Sequence, residues 1–303
     1  MHHERLRRLS MAYPIIMHVN YCEQGQSIDE MCRKAVAWGY EGIEFRRKRE
    51  GVDETAEAYL DEVAKAVETS GLHLPLFGGP GIDLTLPDAA RRRQEVEEGI
   101  RFYRLAAERF TLTLCNIEAG YLTAPQGTPG WNYDARGSAV ATEDHFQWAA
   151  EGFRELAALA EELGFRIAFE THMNTLHDLP APTVRLLDMI GCPAVGANLD
   201  YGNMAQFQKP PRPQEVVEGL KGRIFMLHLK NVLRVRSGDH FEGIRCSLAD
   251  GVINQREFLR LVTATGFEGP LVAESPRLGD REWFAQEDFH YLQFLRNELI
   301  TLA

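Results

Sequence analysis

Four apolar stretches in the C-terminal half of this chain each end on a side chain able to hold a metal. Residues 167–170 end on Glu170, 196–200 on Asp200, 224–228 on His228 and 271–274 on Glu274. An ionised carboxylate among buried apolar residues is costly unless a cation meets it. One divalent ion shared by Glu170, Asp200, His228 and Glu274 would meet it for the whole set. Three carboxylates and one imidazole are oxygen-rich with a single borderline nitrogen. That donor set suits Mn²⁺ best and admits Mg²⁺ or Co²⁺, with Zn²⁺ less natural where no thiolate takes part.

The elements that must carry these residues follow a recurring unit: an amphipathic helix, a glycine, an aromatic or similar residue, then a short apolar run ending on something polar. Gly39, Gly164 and Gly266 stand where a helix C-cap needs the left-handed conformation, and the uninterrupted apolar runs after them read as parallel strands buried on both faces. Strands are expected at 15–20, 42–45, 73–77, 111–117, 166–170, 195–200, 224–229 and 271–274. Helices are expected at 28–38, 55–70, 88–109, 142–163, 183–190, 213–220, 255–265 and 282–299, several with Ser, Asp or Thr near the start. This strict alternation predicts an α/β fold, a single (β/α)8 barrel over residues 12–303, preceded by a flexible extension at 1–11. The competing doubly wound open sheet lacks a G-x-G-x-x-G after its first strand, and there is no P-loop. In a barrel, the C-terminal strand ends share one face, where Glu170, Asp200, His228 and Glu274 converge from strands five to eight.

Composition bounds the partners. A chain of 303 residues with 45% hydrophobic content can bury a substantial core. A formal charge of −11 opposes capture of a phosphate backbone, so no nucleic acid is expected. The basic run Arg46, Arg47, Lys48 and Arg49 reads as a solvated loop after a strand, with contact to an anionic substrate as its second reading. Cys22, Cys32, Cys115, Cys192 and Cys246 are odd in number and form no C-x-x-C pair, which favours neither a disulfide framework nor a thiolate zinc site and fits a reducing cytoplasm. No apolar run approaches a membrane span, and the basic start lacks the h-region of a secretory signal.

From about Tyr13 to Phe294 the chain resembles the xylose-isomerase-like superfamily of sugar isomerases and epimerases, barrels related to ketose 3-epimerases, inosose dehydratases and the apurinic endonuclease fold. The segments that carry the resemblance are 169–172, 199–203, 227–231 and 272–275, which look like the family's metal-ligand segments in their usual order. The resemblance implies that Glu170, Asp200, His228 and Glu274 are the ligands. It implies that the metal polarises a carbonyl and hydroxyl oxygen pair while Glu170 and Glu274 move a proton at the adjacent carbon through an enediolate. Many of the related epimerases carry a histidine where this chain has Asn203, and many relatives an aspartate where it has Asn231. Both changes keep hydrogen-bonding capacity while removing a titratable group. The expected activity is a divalent-metal-dependent isomerase or epimerase on a sugar or cyclitol. A lyase or dehydratase on an inosose or 3-keto-glycoside is the alternative, and a non-catalytic sugar-binding barrel is the third reading. An apurinic endonuclease conflicts with the acidic charge.

Further candidates follow from position on the same face. His172, two residues after Glu170, reads equally as a substrate contact or acid/base and as a residue supporting the quartet from behind, and is the group expected to protonate a leaving group under the lyase reading. Lys230 and Asn203 are expected substrate contacts, with pairing to a carboxylate as the second reading of Lys230. Asn20 and Glu44 read first as structural hydrogen-bonders and second as substrate contacts; His18, inside an apolar strand, reads as a core histidine. The long connection 118–141 carries Tyr121, Trp131, Tyr133 and Arg136. It is expected as a lid whose aromatics, Trp131 first, meet a sugar ring, with subunit contact in a homo-oligomer as its second reading. A stretch at 234–253, containing Arg236, His240 and Arg245, is expected to be irregular and to offer Arg236 to the substrate.

Overall fold

The computed structural model describes residues 12–79 and 81–302; the expected extension at 1–11 lies outside the described residues. The strands are β1 (Ile15–His18), β2 (Gly42–Arg46), β3 (Leu74–Gly78), β4 (Leu114–Asn116), β5 (Arg166–Glu170), β6 (Val195–Leu199), β7 (Ile224–Leu229), β8 (Asn231–Ser237), β9 (His240–Cys246) and β10 (Leu271–Ala273). Among the described residues, β1 to β7 and β10 form one closed parallel barrel, and β8 with β9 forms a separate antiparallel hairpin. β1 pairs with both β2 and β10, so the barrel has no free edge. Around it run α1 (Ile28–Trp38), α2 (Ala56–Ser70), α3 (Ala89–Ala107), α4 (Glu143–Leu163), α5 (Pro180–Ile190), α6 (Pro213–Gly219), α7 (Gln255–Thr263) and α8 (Arg281–Leu302). This is the expected single (β/α)8 barrel.

Local chemistry sets the element ends. Ser27, Thr55, Asp88, Thr142 and Asn254 each accept a hydrogen bond from a first-turn backbone N–H of the helix they precede. Gly39 and Gly164 close α1 and α4 at φ values of 98° and 78°, where a Cβ is disfavoured. Along each strand the side chains alternate. Ile16, Leu76, Leu114, Ala168, Met226 and Val272 form a distinct buried cluster that plugs the barrel interior. Their chain neighbours Ile15, Phe77, Cys115, Ile167, Leu227 and Leu271 join the larger core shared with the helices. Burying each large aliphatic side chain contributes about 1.5–3 kcal/mol.

Several strands are shorter than the sequence patterns predict. β1 stops at His18, because the His18 ring accepts from the Asn20 N–H and turns the chain into a 3-10 helix at Val19–Cys22. β6 stops at Leu199, because Asp200 caps a one-turn helix, Tyr201–Met204, by accepting from the Asn203 N–H at 3.0 Å. β4 keeps only Leu114–Asn116 of the expected 111–117. The stretch expected to be irregular from 234 is instead the β8–β9 hairpin, with Leu233 opposite Ile244 and Val235 opposite Glu242. Alternating Val232, Arg234 and Arg236 with Leu233 and Val235 before Gly238 was the available hairpin signal. All five cysteines are free, as expected. Among the described residues no helix is long and apolar enough to cross a membrane.

Candidate metal centre

Two residues along each strand from the interior plug, the alternation brings a polar side chain to the same axis. Ala168 leads to Glu170, Met226 to His228 and then Lys230, Val272 to Glu274, Ile16 to His18 and Leu114 to Asn116. Asp200 follows Asn198 on β6 by the same step. Glu170, Asp200, His228 and Glu274 are all buried, and each offers a ligand atom within 4.8 Å of those of the others. The sequence-derived quartet is therefore one spatial cluster.

Its contacts are charge contacts. His228 Nδ1 lies 2.6 Å from Glu274 Oε2 and 3.2 Å from Glu170 Oε2. The Lys230 ammonium lies 2.7 Å from Asp200 Oδ2, 3.2 Å from Glu274 Oε2 and 3.5 Å from Glu170 Oε1. Yet Asp200 Oδ2, His228 Nδ1 and Glu274 Oε2 are buried, and these close contacts between them and with Lys230 are not aligned as hydrogen bonds. Buried polar atoms are ordinarily paired, so three such atoms converging on one place fit a shared divalent cation better than they fit each other. Burial opposes an imidazolium at His228, but Glu44, Glu170 and Glu274 outweigh it and hold its pKa well above the ordinary range. Burial pushes Asp200 up to about 7, Glu170 and Glu274 add to that, and Lys230 only partly offsets them. Against burial, Lys230, His18 and His228 hold Glu274 well below the usual carboxylate range. The cluster has more buried negative charge than its own cations settle, which is what a divalent ion would correct.

The expected substrate contacts sit mostly behind this quartet. Glu44 is fully buried; its Oε2 lies 2.7 Å from His228 Nε2 and its Oε1 accepts from Asn116 at 3.0 Å. Its engagement with Nε2 leaves Nδ1 as the nitrogen facing the quartet. The Asn203 side chain donates to Glu170 Oε1 at 2.8 Å, and Lys230 donates to Asn203 Oδ1 at 3.3 Å. Asn20 donates to Glu274 Oε1 at 3.3 Å. Two close approaches depend on glycine: a Cβ at Gly78 would lie 2.1 Å from Glu44 Oε1, and one at Gly202 would lie 2.2 Å from Lys230 Cγ. Asn231 accepts from Val232 and Ile253 and donates to the Leu248 and Ile253 carbonyls, so it fastens the base of the hairpin.

His172 is half-buried beside the quartet, its ring against Tyr121 at 5.4 Å, and it forms with Glu170 and Glu118 a second group of potential ligands. Glu118 is buried, and desolvation raises its pKa. Sequence reading missed it as a site residue, although it continues the inward series Leu114, Asn116, Glu118. His18, read as a core histidine, is buried but faces the site, its ring 5.6 Å edge-on from that of His228; the available signal was its two-residue offset from Ile16. Trp131 stacks on His240 of the hairpin at 4.0 Å and 11°. Gln208 joins the two elements by accepting from the Phe241 N–H and donating to the Phe241 and Trp131 carbonyls. Arg236 is exposed and bonds to the Gly238 carbonyl at the hairpin turn, so it does not join the quartet. Arg245 is the hairpin arginine whose charge Lys230 senses.

Known proteins share this architecture. A xylose isomerase-like TIM barrel protein from Mycobacterium smegmatis, solved in complex with magnesium, superposes with a TM-score of 0.75 at 19% identity, covering 95% of this chain and 98% of that one. The 3-keto-D-glucoside 4-epimerase of E. coli superposes with a TM-score of 0.70 at 16% identity, covering 93% and 99%. An inosose dehydratase from Clostridium perfringens is 23% identical over 150 residues, 46% of this chain, and the chain spans 50% of that relative's length. The sequence pattern of the family described as xylose isomerase-like TIM barrel runs through residues 32–295, from α1 to α8 and through every segment that supplies the quartet, and the chain belongs to that family.

Proposed function

We propose that this protein is a divalent-metal-dependent isomerase or epimerase of a sugar or cyclitol, acting by proton abstraction next to a carbonyl. The observation that carries this reading is the convergence of Asp200 Oδ2, His228 Nδ1 and Glu274 Oε2, buried and without aligned hydrogen bonds, beside Glu170. When bound, the cation, Mn²⁺ by preference, supplies positive charge at the substrate oxygens and so favours the enediolate. Glu170 and Glu274 each keep one oxygen toward the quartet, while the other accepts a neutral amide, from Asn203 and Asn20 respectively. Those outer oxygens are the proton-transfer atoms in this reading. The Asn20 amide meets that oxygen of Glu274, and at Glu170 the Lys230 ammonium lies 3.5 Å from it as well. Lys230 holds the carboxylates against mutual repulsion, and Glu44 orients His228.

The test is solvent deuterium exchange into ketoses, inososes and 3-keto-glycosides. The parent should exchange one carbon-bound hydrogen when Mn²⁺ is supplied, and Glu274→Gln should lose about 10²–10⁴-fold in rate. Equal exchange in both proteins would end the role of Glu274. The Glu118, Tyr121 and His172 group favours a dehydratase as the second reading. The same proton abstraction is then followed by loss of a β-hydroxyl as water, protonated by His172. Formation of an unsaturated product, lost in His172→Phe while exchange persists, would select it.

A further inference from the structure

We infer that a cavity beside the barrel mouth is a subsite for a second sugar ring, so that the substrate is a glycoside of at least two rings rather than a free monosaccharide. The inference rests on the sugar-directed reading above and names its substrate class. The cavity has a volume of about 500 Å³, a size typical of small-molecule sites. Its floor is apolar, built by Ile28 and Met31 of α1 and Phe45 of β2, and its polar wall is built by Glu23, Arg46 and Arg281.

That wall is joined to the quartet through Arg46 and, by way of Asn20, through Arg281. Arg46 continues the inward series Gly42, Glu44, Arg46, and its charge interacts with Glu274 and Glu44. Arg281 donates to the Asn20 carbonyl at 3.0 Å, and the Asn20 side chain donates to Glu274. A substrate centred at Glu274 therefore meets this wall on its way out of the barrel.

The chemistry of the wall selects a neutral hydroxylated ring over an anion. Arg46 is bound by the Glu23 carboxylate through both Nε and Nη2, and Arg49 at the rim is bound by Glu54 and Glu62, so an anionic ligand would have to compete with carboxylates already in place. Paired guanidinium and carboxylate groups instead present donors and acceptors side by side, which matches sugar hydroxyls. Arg281 Nε is a buried donor without a partner. The apolar floor suits the C–H face of a pyranose.

Val52 lies at the rim of the cavity, is 48% exposed and has no part in the quartet, so Val52→Trp narrows the entrance without touching the chemistry. Ligand-observed saturation-transfer NMR with glucose, cellobiose, trehalose and sucrose compares the two proteins, each first shown to bind Mn²⁺ equally. The parent should hold at least one disaccharide about tenfold more tightly than glucose, and Val52→Trp should remove most of that difference. No preference for any disaccharide, or an equal preference in the variant, would overturn the subsite. Failure of deuterium exchange on every keto sugar would instead remove the catalytic reading and leave this binding comparison decisive.

Discussion

Glu44 and His228 are 184 residues apart in the chain, yet their 2.7 Å contact decides which imidazole nitrogen faces the quartet. Substituting Glu44→Gln keeps an acceptor but removes the charge that supports His228, so Mn²⁺ affinity measured by titration calorimetry should fall about 10–100-fold. Unchanged affinity would show that Glu44 does not act through His228. A Cβ at Gly78 would overlap the same carboxylate, so Gly78→Ala should weaken metal binding too and cost about 1–3 kcal/mol in a urea melt. The quartet was legible in the sequence because each of its four side chains ends an apolar run. Glu44 and Asn116 were harder to place because only short apolar stretches precede them, and nothing in a strand-end carboxylate names its partner. Lys230 and Asn203 stand on the expected face, and pairing of Lys230 with a carboxylate was its second reading. That they would be taken up by Asp200 and Glu170 depends on side-chain reach across the barrel, which spacing does not encode.

At the scale of elements, eight strands and eight helices were readable from the alternation; strand ends were lost where a side chain hydrogen-bonds the backbone, as His18 and Asp200 do, and the β8–β9 hairpin was read as irregular. The connection after β4 shows the same limit. Its far end is held by Asp178, which accepts from the Ser138 N–H at 3.1 Å, and a Cβ at Gly137 would lie 2.1 Å from Asp178 Oδ2. Burial raises Asp178 to about 6 from 3.8. The native state therefore retains a proton that the unfolded chain has released across that window. Stability falls as pH rises from about 4 to 6, by at most about 3 kcal/mol. Asp178→Asn removes that loss. Urea midpoints of parent and variant should differ little at pH 4 and increasingly favour the variant by pH 8, whereas a less stable variant at pH 8 would mean that the Asp178 charge itself holds the connection in place.

For the whole molecule, the barrel brings the segments around residues 170, 200, 228 and 274 to one axis and places three buried carboxylates there with one ammonium and one imidazole. A cation bound only by the native state adds stability by mass action, about 2.7 kcal/mol at 100 times its Kd. Mn²⁺ should therefore raise the Tm by several degrees, and chelator should reverse the shift; a Tm indifferent to Mn²⁺ would argue against a native-state site. The formal charge of −11 adds long-range attraction for cations and repulsion of phosphate backbones. The most direct test of the central claim is elemental analysis of protein purified without chelator or affinity metal, loaded with Mn²⁺ and desalted. The account predicts about one Mn²⁺ per folded chain, lost in Asp200→Ala with the far-UV circular dichroism unchanged. Protein that retains no metal after loading, or an Asp200→Ala variant that retains it fully, would contradict a metal centre at this quartet.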